Sequence, residues 1–119
     1  MITLGKKAAL VLSFFAFTIA AQAGETPQAQ SSKADIEKGK ALIAKSDCLA
    51  CHKLDAKLVG PAYKDVAKKY KATPDNIKKL ADKVIKGGVG VWGQIPMSPH
   101  PTLAPADAQK MVSYILSIK

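Results

Sequence analysis

The sequence predicts an all-α domain, and three observations carry that prediction. Four segments between Ala34 and Ile118 repeat apolar residues at helical spacing. No run alternates apolar and polar residues over the length of a strand, and no internal repeat is present. The stretch from Gly87 to Pro105 is rich in glycine and proline and follows neither period, so it reads as a long loop before the last helix.

The chain opens with a segment outside that domain. Lys6 and Lys7 precede an apolar run, Ala8 to Ala21, and Ala21-Gln22-Ala23 has the small-x-small form of a signal-peptidase site. Residues 1–23 are therefore expected to be a signal peptide, cleaved after Ala23 on export. An uncleaved anchor is the competing reading, but the run is shorter than the roughly 18 apolar residues that a spanning helix needs. Residues 24–33 (GETPQAQSSK) are polar and aperiodic and read as a flexible arm. The remaining 34–119 form the expected domain.

Within it, Ala34 to Lys45 places Ile36, Leu42 and Ile43 near one face, with acids early and Lys45 late, which suits the helix dipole. Gly60-Pro61 then breaks the chain, and Ala62 to Tyr70 offers Tyr63, Val66 and Tyr70 at helical spacing. Thr73 is an N-cap with Pro74 at the first helical position, and Ile77, Leu80, Ala81, Val84 and Ile85 make a stripe that stops at Gly87-Gly88. Ala106 to Ile118 closes the domain, with Ala108, Met111, Val112, Ile115 and Ile118 on one face and Tyr114 beside it. The intervening loop, GGVGVWGQIPMSPHPTLAP, is long enough that a compact domain would use it functionally.

Of 18 basic residues, all lysines, two leave with the presequence, so the mature chain carries 16 against 9 acids, a net +7. That balance implies an acidic partner or anionic surface. Nucleic acid fits poorly, because no arginine is present for bidentate contacts.

Cys48-Leu49-Ala50-Cys51-His52 gathers both cysteines of the chain and one of its two histidines. The spacing matches C-x-x-C-H, the attachment signature of c-type haem. Two thiols three positions apart can each add to a vinyl group of one porphyrin, and His52 is then held beneath the iron as an axial ligand. Four other readings compete. A redox dithiol does not need the histidine and sits in a βαβ context that this chain lacks. A structural zinc site needs four ligands. An accidental cluster leaves exported thiols open to oxidation. A disulfide across so short a loop restrains the unfolded chain little.

Iron then needs a sixth ligand or keeps an open site. Met1 leaves with the presequence, and Met111 lies on the packing stripe of the last helix. Met97 stands in Ile95-Pro96-Met97-Ser98-Pro99, where no helical face accounts for it. His100, between Pro99 and Pro101 and expected to be exposed, is the runner-up.

Beyond the haem motif, Val59-Gly60-Pro61-Ala62-Tyr63-Lys64-Asp65-Val66-Ala67 and Gly90-Val91-Trp92-Gly93, followed by Ile95-Pro96-Met97, resemble small periplasmic class I cytochromes c, most closely the c-551 (c8) branch. The resemblance runs from the first helix to the C-terminus. It implies about four helices around one covalent haem c, attached through Cys48 and Cys51, with His52 and Met97 as axial ligands. It also implies that the Pro61 carbonyl accepts a hydrogen bond from His52, and that the Trp92 indole donates to a haem propionate; core packing is the simpler role for Trp92. Gly39 and Tyr114 stand where the family crosses its first and last helices closely. Departures are Ile43 in place of an aromatic, Gln94 and Ser98 in place of prolines, and a longer arm.

The function implied is a periplasmic monohaem electron carrier of respiratory redox proteins, monomeric, not an enzyme and without stable membrane insertion. Acidic partners (a reductase, an oxidase or a membrane cytochrome complex) would dock near lysines such as Lys53, Lys57 and Lys64. The alternative is a peroxidase-like haem enzyme or gas sensor whose sixth ligand is displaced.

Overall fold

Ser32 starts the first helix because its hydroxyl accepts from the Asp35 N–H at 3.1 Å and donates to the Asp35 carboxylate at 2.7 Å. The computed structural model describes residues 30–119, so the expected signal peptide and residues 24–29 of the arm lie outside the described residues. Helix α1 spans Lys33–Ala44, α2 Tyr63–Lys69, α3 Pro74–Lys86 and α4 Pro105–Ser117, with one 3₁₀ turn at Cys48–Ala50. The sequence boundaries shift by a residue at several ends. Lys33, assigned to the arm, is helical because the cap lies at Ser32, and α4 begins on Pro105, whose missing N–H costs nothing at a first helical position. Ser31 is also held, donating to Ser113 on α4 at 2.6 Å.

Helix α4 is the hub. Helices α1, α2 and α3 each pack on it, whereas their backbones do not approach one another. One apolar cluster joins Ile77 and Ala81 of α3 to Ala108, Val112 and Leu116 of α4; a second joins Ile43 of α1 and Tyr63 of α2 to Met111. Full burial of a side chain of this size contributes roughly 1.5–3 kcal/mol, so a helix that serves both clusters carries much of the fold. Being packed on more than one side, α4 buries Ser113 and Leu116 together with Ala108, Met111 and Val112 of the predicted stripe, while Ile115 and Ile118 are half-buried. The α1–α4 crossing is close: a Cβ on Gly39 would run into the Lys110 carbonyl and stand 2.9 Å from the Met111 nitrogen. Gly39 thus opposes backbone, and Tyr114 packs against the neighbouring Ile43–Met111 cluster.

No named strand occurs among the described residues; one antiparallel bridge pairs Gly88 with Met97. The architecture is the all-α one expected.

Candidate cofactor site

The cysteine motif is shaped by its own backbone. The amides of Cys51 and His52 both donate to the Cys48 carbonyl, at 3.2 and 3.0 Å, which curls the chain so that thiols and imidazole emerge together. The chain then returns to itself: Gly60 N–H meets the Cys51 carbonyl at 2.8 Å, and the amides of Tyr63 and Lys64 meet the carbonyls of Lys53 and Leu54 at 2.9 Å each. This closure brings the Pro61 carbonyl 2.8 Å from His52 Nδ1. A carbonyl only accepts, so Nδ1 carries the hydrogen and Nε2 keeps its lone pair for a metal. Gly60 lies flat on the ring, since a Cβ there would stand 2.8 Å from Nδ1 and 3.0 Å from Nε2.

Tyr63 is a site residue that the sequence reading placed only on a helical stripe. Its ring stacks on His52 at 5.2 Å between centroids and 21° between planes. It is 4% exposed, and burial pushes its phenol well above the ordinary value, with Cys48 and Tyr114 adding to the effect. The signal was present, because Tyr63 follows Gly60-Pro61-Ala62 in the segment that returns to His52.

The methionine segment arrives from the other end of the chain. At the end of α3, Gly87 turns with φ 67° and ψ −159°, a conformation essentially reserved for glycine. Gly88 and Met97 then exchange both backbone hydrogen bonds, at 3.0 and 2.8 Å, and Gly90 N–H meets the Gly93 carbonyl at 2.9 Å. The apparent freedom of the loop is thus cancelled by a pinned base.

Both segments border one cavity of about 560 Å³, within the range of cofactor sites. Cys48, Cys51, His52, Pro61, Trp92 and Met97 all line it, so the structure brings every sequence-predicted site residue together. The thiols are not bonded to each other. Ile43, Val112 and Ile115 wall the cavity from inside, while Val59, Val89, Val91, Trp92 and Ile95, 39–64% exposed, form its rim. Apolar side chains left at a rim call for a large flat apolar ligand rather than a hydrated ion. Trp92, at 39% exposure, is a mouth residue and not part of the core, and the Lys69 ammonium stands 5.3 Å over its ring. Among the described residues, no three His, Cys, Asp or Glu side chains come together as a metal cage.

His100 departs from expectation. It is not an exposed loop histidine: its side chain is 24% exposed, and both ring nitrogens have partners, Val84 and Asp47.

Comparison with known proteins agrees with the cavity. The cytochrome c family model matches residues 36–119. Cytochrome c-552 of Hydrogenobacter thermophilus is 51% identical over 78 residues, covering 66% of this chain and 79% of that protein. Cytochrome c-551 of Azotobacter vinelandii is 41% identical over 83 residues, covering 70% of this chain and 100% of that protein. The crystal structure of wild-type Nitrosomonas europaea cytochrome c552 superposes with a TM-score of 0.63 at 45% identity, covering 67% of this chain and 99% of that one. A class 1 cytochrome from Sideroxydans lithotrophicus ES-1 gives 0.56 at 28% identity, over 71% of this chain and 96% of that one. A fold, a two-thiol motif and an apolar cleft of this form have one common explanation: the chain belongs to the cytochrome c family, as a small class I c-type cytochrome that carries haem c covalently.

Proposed function

We propose that the protein is a periplasmic electron carrier, exported by a signal peptide cleaved ahead of Gly24 and acting as a soluble monomer, not an enzyme. The observation that supports it most is one cavity bordered by His52, with Nδ1 tied to Pro61, and by Met97, with its backbone tied to Gly88. Haem supplies a reversible one-electron couple at its iron. Cys48 and Cys51 would hold it as thioethers. His52 Nε2 and the Met97 sulfur would fill the two axial positions, leaving no room for a substrate. The Pro61 contact strengthens the imidazole as a donor, and the soft thioether favours the reduced state and raises the potential. Trp92 at the mouth would give its indole N–H to a propionate.

The remaining residues set solvent and charge. The apolar walls limit the water that must reorganise when charge changes. Lys57, Lys79, Lys83 and Lys86 border the cavity on the cationic domain, so acidic partners (a reductase, an oxidase or a membrane cytochrome complex) would be steered toward its mouth. A peroxidase-like enzyme would need an acid–base side chain near the iron, and the His100 ring is already engaged on both sides.

Absorption spectroscopy tests the proposal. The expected ferric protein is low-spin, with a methionine-to-iron charge-transfer band that disappears in Met97→Ala. High-spin iron that takes up carbon monoxide readily on reduction would sink the carrier reading, and a band that survives in Met97→Ala would sink the ligand assignment.

A further inference from the structure

His100 stands where three segments meet. Its backbone N–H donates to the Ile85 carbonyl at 2.9 Å, its Nδ1 lies 3.2 Å from the Val84 carbonyl, and its Nε2 lies 3.1 Å from Asp47 Oδ1. Both ring partners are acceptors, a backbone carbonyl and a carboxylate. A neutral imidazole has a single N–H and satisfies one of them; only the imidazolium, with two, satisfies both. We propose that His100 is an imidazolium brace, a positioning residue that ties the methionine segment to the end of α3 and to the residue preceding Cys48. As a positioning role, it rests on the reading of Met97 as an axial ligand.

The location gives the brace leverage. His100 is three residues beyond Met97, and Asp47 is adjacent to Cys48, so one ring links the segments that bear the two opposite ligands. Pro99 and Pro101 on either side have no N–H to give, which leaves His100 as the donor of this stretch.

Charge around the ring is mixed. Asp47 pairs with the ring, and Lys83 and Lys86 stand in the last turn of α3, whose carbonyl end the ring meets. Further charged groups on the surrounding elements include Lys79 and Asp82 of α3, Lys45 after α1 and Asp107 in the first turn of α4; among the described residues, only Asp47 pairs with the ring. Loss of one ring proton therefore costs either the Asp47 or the Val84 contact, and the methionine segment is then held by one ring contact and its backbone bonds.

The test uses reduced holoprotein and the rate at which carbon monoxide displaces Met97 in mild guanidinium, across a pH series. In the wild type the rate should rise about three- to tenfold in a one-proton step as pH increases, the size of one net hydrogen bond. His100→Phe should be fast at every pH. Asp47→Asn is decisive: its amide can donate to Nε2 of a neutral ring whose Nδ1–H still serves Val84, so displacement should be slow and flat with pH. A pH step in Asp47→Asn equal to that of the wild type overturns the brace, as does a flat wild-type profile. Ring nitrogen resonances of ¹⁵N-histidine-labelled protein read the same device without reference to Met97. Two protonated nitrogens on His100 at neutral pH in the wild type, and one in Asp47→Asn, support it; one in both proteins overturns it. The methionine methyl resonance separately reports whether Met97 is a ligand at all.

Discussion

Replacing Gly87 by alanine tests how the methionine segment is held. Gly87 combines two demands that seldom coincide. Its φ of 67° with ψ −159° lies in a region that L residues avoid at about 1–3 kcal/mol. A Cβ would also meet the Met97 carbonyl oxygen and would stand 2.8 Å from Pro99 N and 3.0 Å from Ser98 C. All three are backbone atoms, which cannot rotate aside as a side chain can, so a further cost of about 1–3 kcal/mol is expected from overpacking. The total, about 2–6 kcal/mol, is a large share of the roughly 5–15 kcal/mol that stabilises a typical domain. Gly93→Ala is the control: φ there is 115°, but nothing lies within 4 Å of the added carbon, so it bears strain alone. Guanidinium unfolding of both variants should be followed by helical circular dichroism and by the methionine charge-transfer band. Gly87→Ala should lose the band at lower denaturant than the helical signal, and should be less stable than Gly93→Ala by about 1–3 kcal/mol. Equal midpoints for the two variants would show that the close approach of the Met97 backbone does not matter, and the account of the loop given above would be wrong.

The other predictions concern the crossing, the phenol and the charge. Alanine normally stabilises a helix interior by about 0.5–1 kcal/mol over glycine, but Gly39→Ala must push α1 off the Lys110–Met111 backbone, so thermal unfolding should show a loss of at least about 1 kcal/mol; a gain would refute the tight crossing. Because burial raises the Tyr63 phenol above its usual value, the native state keeps a proton that the unfolded chain releases above about pH 10, and stability should fall there by up to about 1.4 kcal/mol per pH unit. Tyr63→Phe should remove that component, and identical alkaline profiles for the two proteins would contradict it. Electron-transfer rates with an acidic partner should fall as ionic strength rises; a flat response excludes steering by the lysines at the cavity mouth.

The helices and the haem-attachment motif were legible in the sequence for different reasons. Thr73-Pro74 and Gly87-Gly88 bracket α3 with local signals, and the observed helix, Pro74–Lys86, falls between them. Cys48, Cys51 and His52 were legible because their chemistry depends on spacing within one short segment. What the sequence hid was long-range. Nothing local says that Gly88 will pair with Met97, that the Tyr63 ring will lie on His52, or that His100 will reach Asp47 across 53 residues. His100 was expected to be exposed because it lies in the aperiodic loop between Pro99 and Pro101. The ring is instead drawn inward by two acceptors contributed by other segments, and burial of that kind leaves no trace in the neighbouring sequence.

The domain has two modest apolar clusters, with a cavity beside both. The backbones of helices α1, α2 and α3 approach α4 and not one another among the described residues, and a cavity opens between these arms. Ile43, Val66, Leu80, Val84 and Ile115 are among the residues that line it. The covalently held haem completes their burial beside α1, and on the proposed ligation by Met97 it would also tie in the segment after α3. A short chain with a modest apolar inventory gains from such a staple more than a large one does. On the proposed ligation the methionine segment would do two things at once, supplying a ligand that tunes the iron and closing the cavity wall, so substitutions that loosen Met97 should lower stability and potential together.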